Sequence, residues 1–150
     1  MDRIVHKADF ERVLATRSRS RSTHFALHHL VAAPLPRIWR AKTAIDTELS
    51  TGSALSCPQV VDDFPEAVLS GLWFACVVPK RHARRAVTRT LLKRQVRSAF
   101  QRWGPTLPAG LWLVRLRAPF AKQDFISARS VVLAAAARTE LEALLARAVV

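Results

Sequence analysis

The chain has 150 residues, half of them hydrophobic, and carries a formal net charge of +13. This length and composition indicate one domain with a sizeable core and argue against wholesale disorder. The charge favours an anionic partner, and no apolar run approaches the roughly 20 residues that span a bilayer, so a membrane protein is not expected.

The N-terminal part of the chain predicts a helix, a loop and a strand. The helix covers residues 7–15, and its apolar side consists of Phe10, Val13 and Leu14. Residues 16–23 are rich in Ser and Arg and predict a basic loop. Residues 24–32 alternate partly and predict a strand, in which Phe25, Leu27 and Val31 share one face and His28 lies on the other.

Residues 41–70 differ from the rest in composition. They hold one Lys, no Arg and five of the chain's eleven acids, and they show no helical or strand period. We interpret them as a long, flexible acidic insertion within a single domain that covers residues 1–150. An alternative is that the insertion mimics an anionic ligand and screens the basic surface.

The C-terminal half predicts two strands and two helices. Apolar runs at 71–79 and 111–117 indicate buried strands, and helical periods mark a basic helix at about 84–103 and a final helix that Asp124 or Ser127 caps. The three tryptophans assigned to the core are Trp73, Trp103 and Trp112. This order of elements predicts an α+β or α/β sandwich with one modest sheet.

The segment from Pro79 to Arg102 carries nine Lys or Arg and no acid. An apolar helical stripe runs through Leu92, Val96, Ala99, Phe100 and Trp103. A cationic ridge at steps of four consists of Arg85, Arg89, Lys93 and Arg97. Like charges four residues apart on a helix repel each other, and a polyanion laid along the ridge would relieve that repulsion. The pattern therefore predicts a helix that binds nucleic acid.

The sequence contains no catalytic or metal-binding motif. Its two cysteines, Cys57 and Cys76, are too far apart for a redox pair, and its five histidines lack metal-ligand spacing. The N-terminus has acids and no long apolar core, so no secretory signal is expected and the predicted location is the cytoplasm.

Residues 74–100 resemble the bacterial ribonuclease P protein component. The matching elements, in order, are Val77-Val78, Lys80-Arg81, Arg84-Arg85, Ala86-Val87, Arg89-Thr90-Leu91, Lys93-Arg94 and Arg97-Ser98-Ala99-Phe100. Residues 9–14 are similar to the first helix of that family, and the last strand and helix stand in the corresponding places. Departures from the family's usual residues are Thr90 for Asn, Leu91 for Arg, Leu14 for an aromatic residue and Gln101 for Arg.

The resemblance implies a fold and an activity. The fold is a two-layer α/β (α+β) sandwich, with one small central mixed sheet, three helices and a left-handed β-α-β crossover. The protein is the small subunit of a ribonucleoprotein that removes the 5′ leader of precursor tRNA. It binds the catalytic RNA one to one, without a protein partner. Catalysis belongs to the RNA, which holds Mg²⁺, and the protein supplies no cofactor site, nucleophile or base.

The resemblance also implies the binding residues. The RNA-binding set comprises Lys80, Arg81, Arg84, Arg85, Arg89, Thr90, Lys93, Arg94 and Arg97. A cleft between the first helix and the sheet would hold the single-stranded leader. Its lining is assigned to Phe10, Leu14, His28 and Lys80, where Phe10 and His28 stack on bases. The competing interpretation makes Phe10 a core residue and His28 a simple strand-surface residue.

Two other functions are consistent with a basic chain. A structural RNA-binding protein of ribosomal type would need the same charge but no processing role. A self-sufficient nuclease would need carboxylates gathered around a metal ion. Outside the insertion, the acids available for such a cluster are Asp2, Asp9, Glu11, Asp124, Glu140 and Glu142.

Overall fold

A computed structural model of the chain describes residues 1–35, 71–121 and 130–149. The strands are β1 (Asp2–Arg3), β2 (Ser18–Arg21), β3 (Phe25–Leu30), β4 (Leu72–Val77) and β5 (Gly110–Leu116). The helices are α1 (Lys7–Ala15), α2 (Ala86–Trp103) and α3 (Val131–Val149). A 3₁₀ turn, Gly104–Thr106, follows α2. No helix within these described ranges is long and apolar enough to cross a membrane.

The five strands form one mixed sheet in the order β1-β4-β5-β3-β2. Strands β1, β4 and β5 are parallel neighbours, whereas β3 is antiparallel to β5 and β2 is antiparallel to β3. Helix α2 connects β4 to β5 and so forms the β-α-β crossover. The predicted small mixed sheet with three helices is confirmed.

Helices cover both faces of the sheet because strand side chains alternate between the faces. On one face, α2 and α3 pack over Phe25, Leu27, Trp112 and Val114. On the other face, α1 packs through Val13 against Ala75, Leu111 and Leu113. The short α1 thus covers the second face of the sheet through an apolar cluster of its own.

Helix α2 is held to the sheet by its predicted apolar stripe. Leu92, Val96, Ala99 and Phe100 are buried, and Trp103 is half-buried at the edge of the same cluster. The Phe100 ring stacks 5.3 Å from Phe74 and meets Trp112 edge-on at 6.5 Å. Complete burial of a Leu, Val or Phe side chain such as these stabilises the fold by about 1.5–3 kcal/mol. This packing fixes which flank of α2 faces outward.

Several sequence predictions differ from the structure. Residues 18–21 form edge strand β2, although 16–23 was predicted as a loop, because backbone pairing with β3 outweighs their polarity. Val31 lies beyond the end of β3 and is 67% exposed, so it is not an inner-face residue. Strand β1 has only two residues and gives no sequence period. The tryptophans divide between full burial for Trp112 and partial burial for Trp73 and Trp103.

The start of α3 is bonded to a residue that the sequence did not single out. The Ser130 hydroxyl accepts the Leu133 N–H at 3.2 Å. The predicted caps Asp124 and Ser127, and the predicted insertion at 41–70, lie outside the described residues.

Candidate nucleic-acid interface

The cationic segment begins where β4 ends. Lys80, Arg81, Arg84 and Arg85 occupy the exposed loop between β4 and α2. Arg85 is the N-cap residue of α2, with an extended backbone and no side-chain capping bond, and the first turn of the helix holds no acid. The positive end of the helix dipole therefore adds to the charge of the loop cations, since no acid in the first turn neutralises it. Such a helix start attracts anions.

Arg89 differs from the other ridge cations. Its Nη1 donates to the main-chain carbonyls of Ala83, at 3.1 Å, and Arg84, at 2.7 Å. It is half-buried, whereas the loop cations are exposed. Arg89 therefore folds back on the loop and holds it against the start of α2, while keeping its charge at that end.

The remaining helix cations share an outward surface. At about 100° per residue, Lys93 and Arg97 lie on one flank, roughly 80–120° from the buried stripe, and Arg94 points directly away from it. All three are exposed, and Thr90 is exposed beside Arg94. Lys93 acts electrostatically on Cys76 of β4, which places this flank on the β4 side of the helix. We call Lys93, Arg94 and Arg97 the outer ridge.

These cations are not neutralised within the protein. In the part of the chain that the structure describes, none of the eight cations from Lys80 to Arg97 pairs with a carboxylate. The ninth, Arg102, lies 2.9 Å from Glu142 of α3, which also binds Arg138 at 3.1 Å. Arg102 thus joins two helices, and the other eight cations present net positive charge to solvent.

A shallow groove runs along the start of α2 on the side that faces away from the sheet. Its lining includes Val87, Thr90, Leu91 and Arg94. Val87 is 51% exposed, and Leu91 is half-buried against the core cluster. Leu91 therefore contributes packing at a position where the family usually has an arginine.

The predicted leader-binding residues lie mostly on the α1 face of the sheet. Phe10 and Leu14 of α1 are half-buried against the cluster that contains Leu111 and Leu113. His28 of β3 lies at the end of α1, with its Nδ1 3.0 Å from the Thr16 carbonyl oxygen. The structure brings these three residues to one face. Lys80 is exposed in the loop after β4.

Two arginines that the sequence prediction missed lie on the same face as His28. Arg21 of β2 pairs with Ala26 of β3, and Ala26 pairs with Arg115 of β5, so the three form a row across the sheet. The pKa of His28 is lowered, first by burial and then by the positive charges of Arg115 and Arg21, against the hydrogen bond to Thr16. We call Arg21 and Arg115 the cleft arginines.

The sequence held a signal for only one of the cleft arginines. Arg115 has the same parity along β5 as Leu111 and Leu113, so its face was predictable once β5 was assigned. Arg21 was hidden by the loop prediction for residues 16–23.

The remaining His, Cys, Asp and Glu side chains of the described residues provide neither a metal site nor a reactive thiol. No group of three or more His, Cys, Asp or Glu side chains in the described ranges has the geometry to hold a metal ion. Burial raises the pKa of the Cys76 thiol to about 12, so this thiol is not nucleophilic near neutral pH. Glu140 is bound by His24, whose main-chain nitrogen and Nδ1 lie 2.6 and 2.8 Å from its two oxygens.

Comparisons with known proteins identify the family to which the chain belongs. The sequence model described as Ribonuclease P matches residues 1–147. The chain belongs to this family. Over 72 residues it is 43% identical to the Ribonuclease P protein component of Burkholderia pseudomallei (strain 1106a), a match that covers 48% of this chain and 53% of that protein. The match to this curated relative therefore spans about half of its length.

A solved structure shows the same fold as this ribonuclease P family chain. The RNase P protein of Staphylococcus aureus superposes with a TM-score of 0.57, covering 97% of this chain and 94% of that one. The two sequences are 17% identical, so this likeness concerns the fold alone. The mixed sheet and its three helices are thus shared with that protein.

Proposed function

We propose that this chain is the protein subunit of a ribonucleoprotein that removes the 5′ leader from precursor tRNA. The observation that carries the proposal is the run of eight cations from Lys80 to Arg97 that has no carboxylate partner among the described residues. Membership of the Ribonuclease P family supports it independently.

In this proposal, α2 and the loop before it bind the catalytic RNA. Lysine and arginine side chains neutralise phosphates and release condensed counterions, and the guanidinium fork suits phosphate oxygens. With roughly four to six phosphate contacts, the log–log salt slope of binding is about −3 to −5. The bases of an A-form helix are hidden in a deep groove, so backbone contacts and shape dominate recognition.

The α1 face of the sheet binds the single-stranded leader. Its half-buried Phe10 and Leu14 offer an apolar wall, and His28 with the cleft arginines offers stacking and phosphate contacts. Stacking of one base on an aromatic ring contributes about 1–3 kcal/mol. Each leader nucleotide bound here holds the scissile bond near the RNA's active centre.

The protein acts by binding and orienting, while the RNA performs the cleavage. The RNA would hold Mg²⁺, which would supply activation of the attacking water and stabilisation of the leaving oxygen. The outer ridge lowers the repulsion between two RNA molecules that meet at this centre. The expected complex contains one protein copy per catalytic RNA.

Reconstitution tests the proposal. The full chain is mixed with the catalytic RNA of its own source and a precursor tRNA, and leader removal is followed at low Mg²⁺. We expect the protein to raise the cleavage rate well above that of RNA alone. RNA-free protein and protein with ribosomal RNA serve as controls.

Each alternative function predicts a different result. Cleavage by RNA-free protein would identify a protein nuclease. Selective binding of ribosomal RNA, without any effect on leader removal, would identify a structural RNA-binding protein. Either result overturns the proposal.

A further inference from the structure

A second cationic surface lies at the sheet edge formed by β2, away from α2. It consists of Arg19 in β2, Arg117 after β5 and Arg147 near the end of α3, all exposed. We call these three residues the β2-edge surface. We propose that it binds phosphates of the single-stranded leader where the leader passes out of the cleft, so that it favours precursors with long leaders. This proposal rests on the proposed function.

Each guanidinium of the β2-edge surface is oriented by a main-chain carbonyl. Arg19 Nε donates to the Ala148 carbonyl at 2.8 Å, Arg147 Nη1 approaches the Arg21 carbonyl at 3.5 Å, and Arg117 Nη1 approaches that of Ser22 at 3.5 Å. One N–H of the five on each guanidinium is used, which leaves the rest for an incoming ligand. Because the side chains are already held, less conformational entropy is lost when a phosphate binds.

The β2-edge surface keeps its positive charge. A carbonyl orients a guanidinium without neutralising it, and none of the three arginines pairs with a carboxylate in residues 1–35, 71–121 and 130–149. Glu140 reaches this end of the molecule but is engaged by His24. The site therefore favours an anion.

The β2-edge surface is continuous with the cleft arginines. Arg147 contacts the backbone of Arg21, and Arg21 lies in the same row as Arg115, with neighbouring strands about 4.8 Å apart. Arg19 reaches the opposite face, where its guanidinium lies 5.9 Å from the Trp112 ring. The cations therefore pass around the edge strand from one face to the other. A flexible single strand follows such a path, whereas a straight duplex contacts one face.

The test compares two precursor tRNAs, with leaders of about four and about sixteen nucleotides, which bracket common single-strand site sizes. The variant R117Q/R147Q removes two exposed charges and leaves Arg19, which packs on Trp112, in place. The control R3Q/R138Q removes the same charge from β1 and from the α2-facing side of α3. Affinity of the reconstituted holoenzyme for each precursor is measured over a range of salt.

We expect R117Q/R147Q to bind the long-leader precursor about 5- to 10-fold more weakly and to lower its salt slope by about 1.4, as the loss of two single-strand phosphate contacts requires. Its affinity for the short-leader precursor stays at the wild-type value, and R3Q/R138Q matches the wild type with both. Equal affinities of R117Q/R147Q and wild type for the long leader, or an equal loss with both leaders, would overturn the inference.

Edge protection is a different role that the same arginines could have. Increased light scattering by R117Q/R147Q, with unchanged affinity for both precursors, would show that the arginines only guard an edge strand against aggregation and would overturn the inference. If wild-type protein does not promote leader removal, the proposed function fails and this inference fails with it. If the protein promotes leader removal but the holoenzyme binds the long-leader precursor no more tightly than the short-leader one, the inference alone fails.

Discussion

The carboxylate of Asp9, in the first turn of α1, accepts the main-chain N–H of Leu35, with each oxygen 3.2 Å from the nitrogen. Arg12 also donates to it at 3.0 Å, and the Asp9 side chain is fully buried. The bond ties α1 to the chain that follows β3. Because α1 forms one wall of the proposed leader cleft, Asp9 sets the position of Phe10 and Leu14.

Replacing Asp9 by alanine removes this tie. We expect D9A to lower the free energy of unfolding by about 1–3 kcal/mol, because the Leu35 N–H loses its partner. The matched control is E11A, whose carboxylate is exposed and 3.4 Å from Lys7. An exposed ion pair of this kind contributes about 0–1 kcal/mol. Urea denaturation measures the free energy of unfolding of both variants. Equal decreases in D9A and E11A would show that the buried hydrogen bond contributes no more than the exposed ion pair.

Deleting residues 41–70 should leave the fold intact. Leu30, at the end of β3, pairs with Leu111, and Leu72, at the start of β4, pairs with Gly110. These two strand ends flank β5 at the same end of the sheet, about 10 Å apart. Residues 31–40 remain in the deletion variant and suffice to connect them. We expect one cooperative thermal transition and an unchanged salt slope for RNA binding, whereas loss of cooperativity would assign the segment a structural role.

The variant L91R tests the departure from the family's usual arginine. We expect it to strengthen binding to the catalytic RNA and to increase the salt slope by about 1, because it adds one cation beside Arg94. The free energy of unfolding should fall by about 1 kcal/mol, because Leu91 packs against the core.

A matched variant separates the two effects at this position. L91Q loses the packing without adding charge, so its salt slope should equal that of the wild type. An L91R slope that also equals the wild-type slope would show that position 91 does not meet RNA.

The histidines predict how stability depends on pH. Burial lowers the pKa of both His28 and His29 below the ordinary 6.5, and nearby arginines lower it further. Below pH 6.5 the unfolded chain therefore binds more protons than the folded one. The free energy of unfolding then decreases as pH falls, by at most about 1.4 kcal/mol per pH unit for each histidine.

Denaturation between about pH 5.5 and 7.5 checks this dependence on the two histidines. This range stays above the titration of Glu140, whose pKa is lowered from 4.5 because hydrogen bonds from His24 and Ser22 outweigh its burial. The double variant H28Q/H29Q should show a flatter dependence than the wild type. An equally steep pH dependence of the free energy of unfolding in the variant would contradict the assignment of this dependence to His28 and His29.

Much of the fold was predictable because its elements have strong periods. Helix α1 matches its predicted bounds, and the apolar stripe of α2 is buried as its spacing required. Strands β1 and β2 were missed for a physical reason. Strand β2 is polar and β1 has only two residues, so neither shows a strand period. They are strands because β4 and β3 provide backbone hydrogen-bond partners, and this pairing cannot be seen in the local sequence.

The interface was predictable as far as one helix defines it. The spacing of Lys93 and Arg97 placed them on a ridge outside the buried stripe, and both are exposed in the structure. Arg21 and Arg115 come together only through the strand register, although 94 residues separate them in the chain. The interaction of Arg89 with two loop carbonyls likewise depends on how the loop folds. Such contacts depend on the tertiary structure and cannot be predicted from local sequence patterns.

The salt dependence of assembly with the catalytic RNA tests the role of α2 most directly. The variant K93A/R97A removes two exposed cations of the outer ridge without touching the core, and R3Q/R138Q again serves as the charge-matched control. We expect K93A/R97A to reduce the magnitude of the log–log slope by about 2 and to weaken assembly, while the control keeps the wild-type slope. A wild-type slope for K93A/R97A would contradict docking of this helix on RNA.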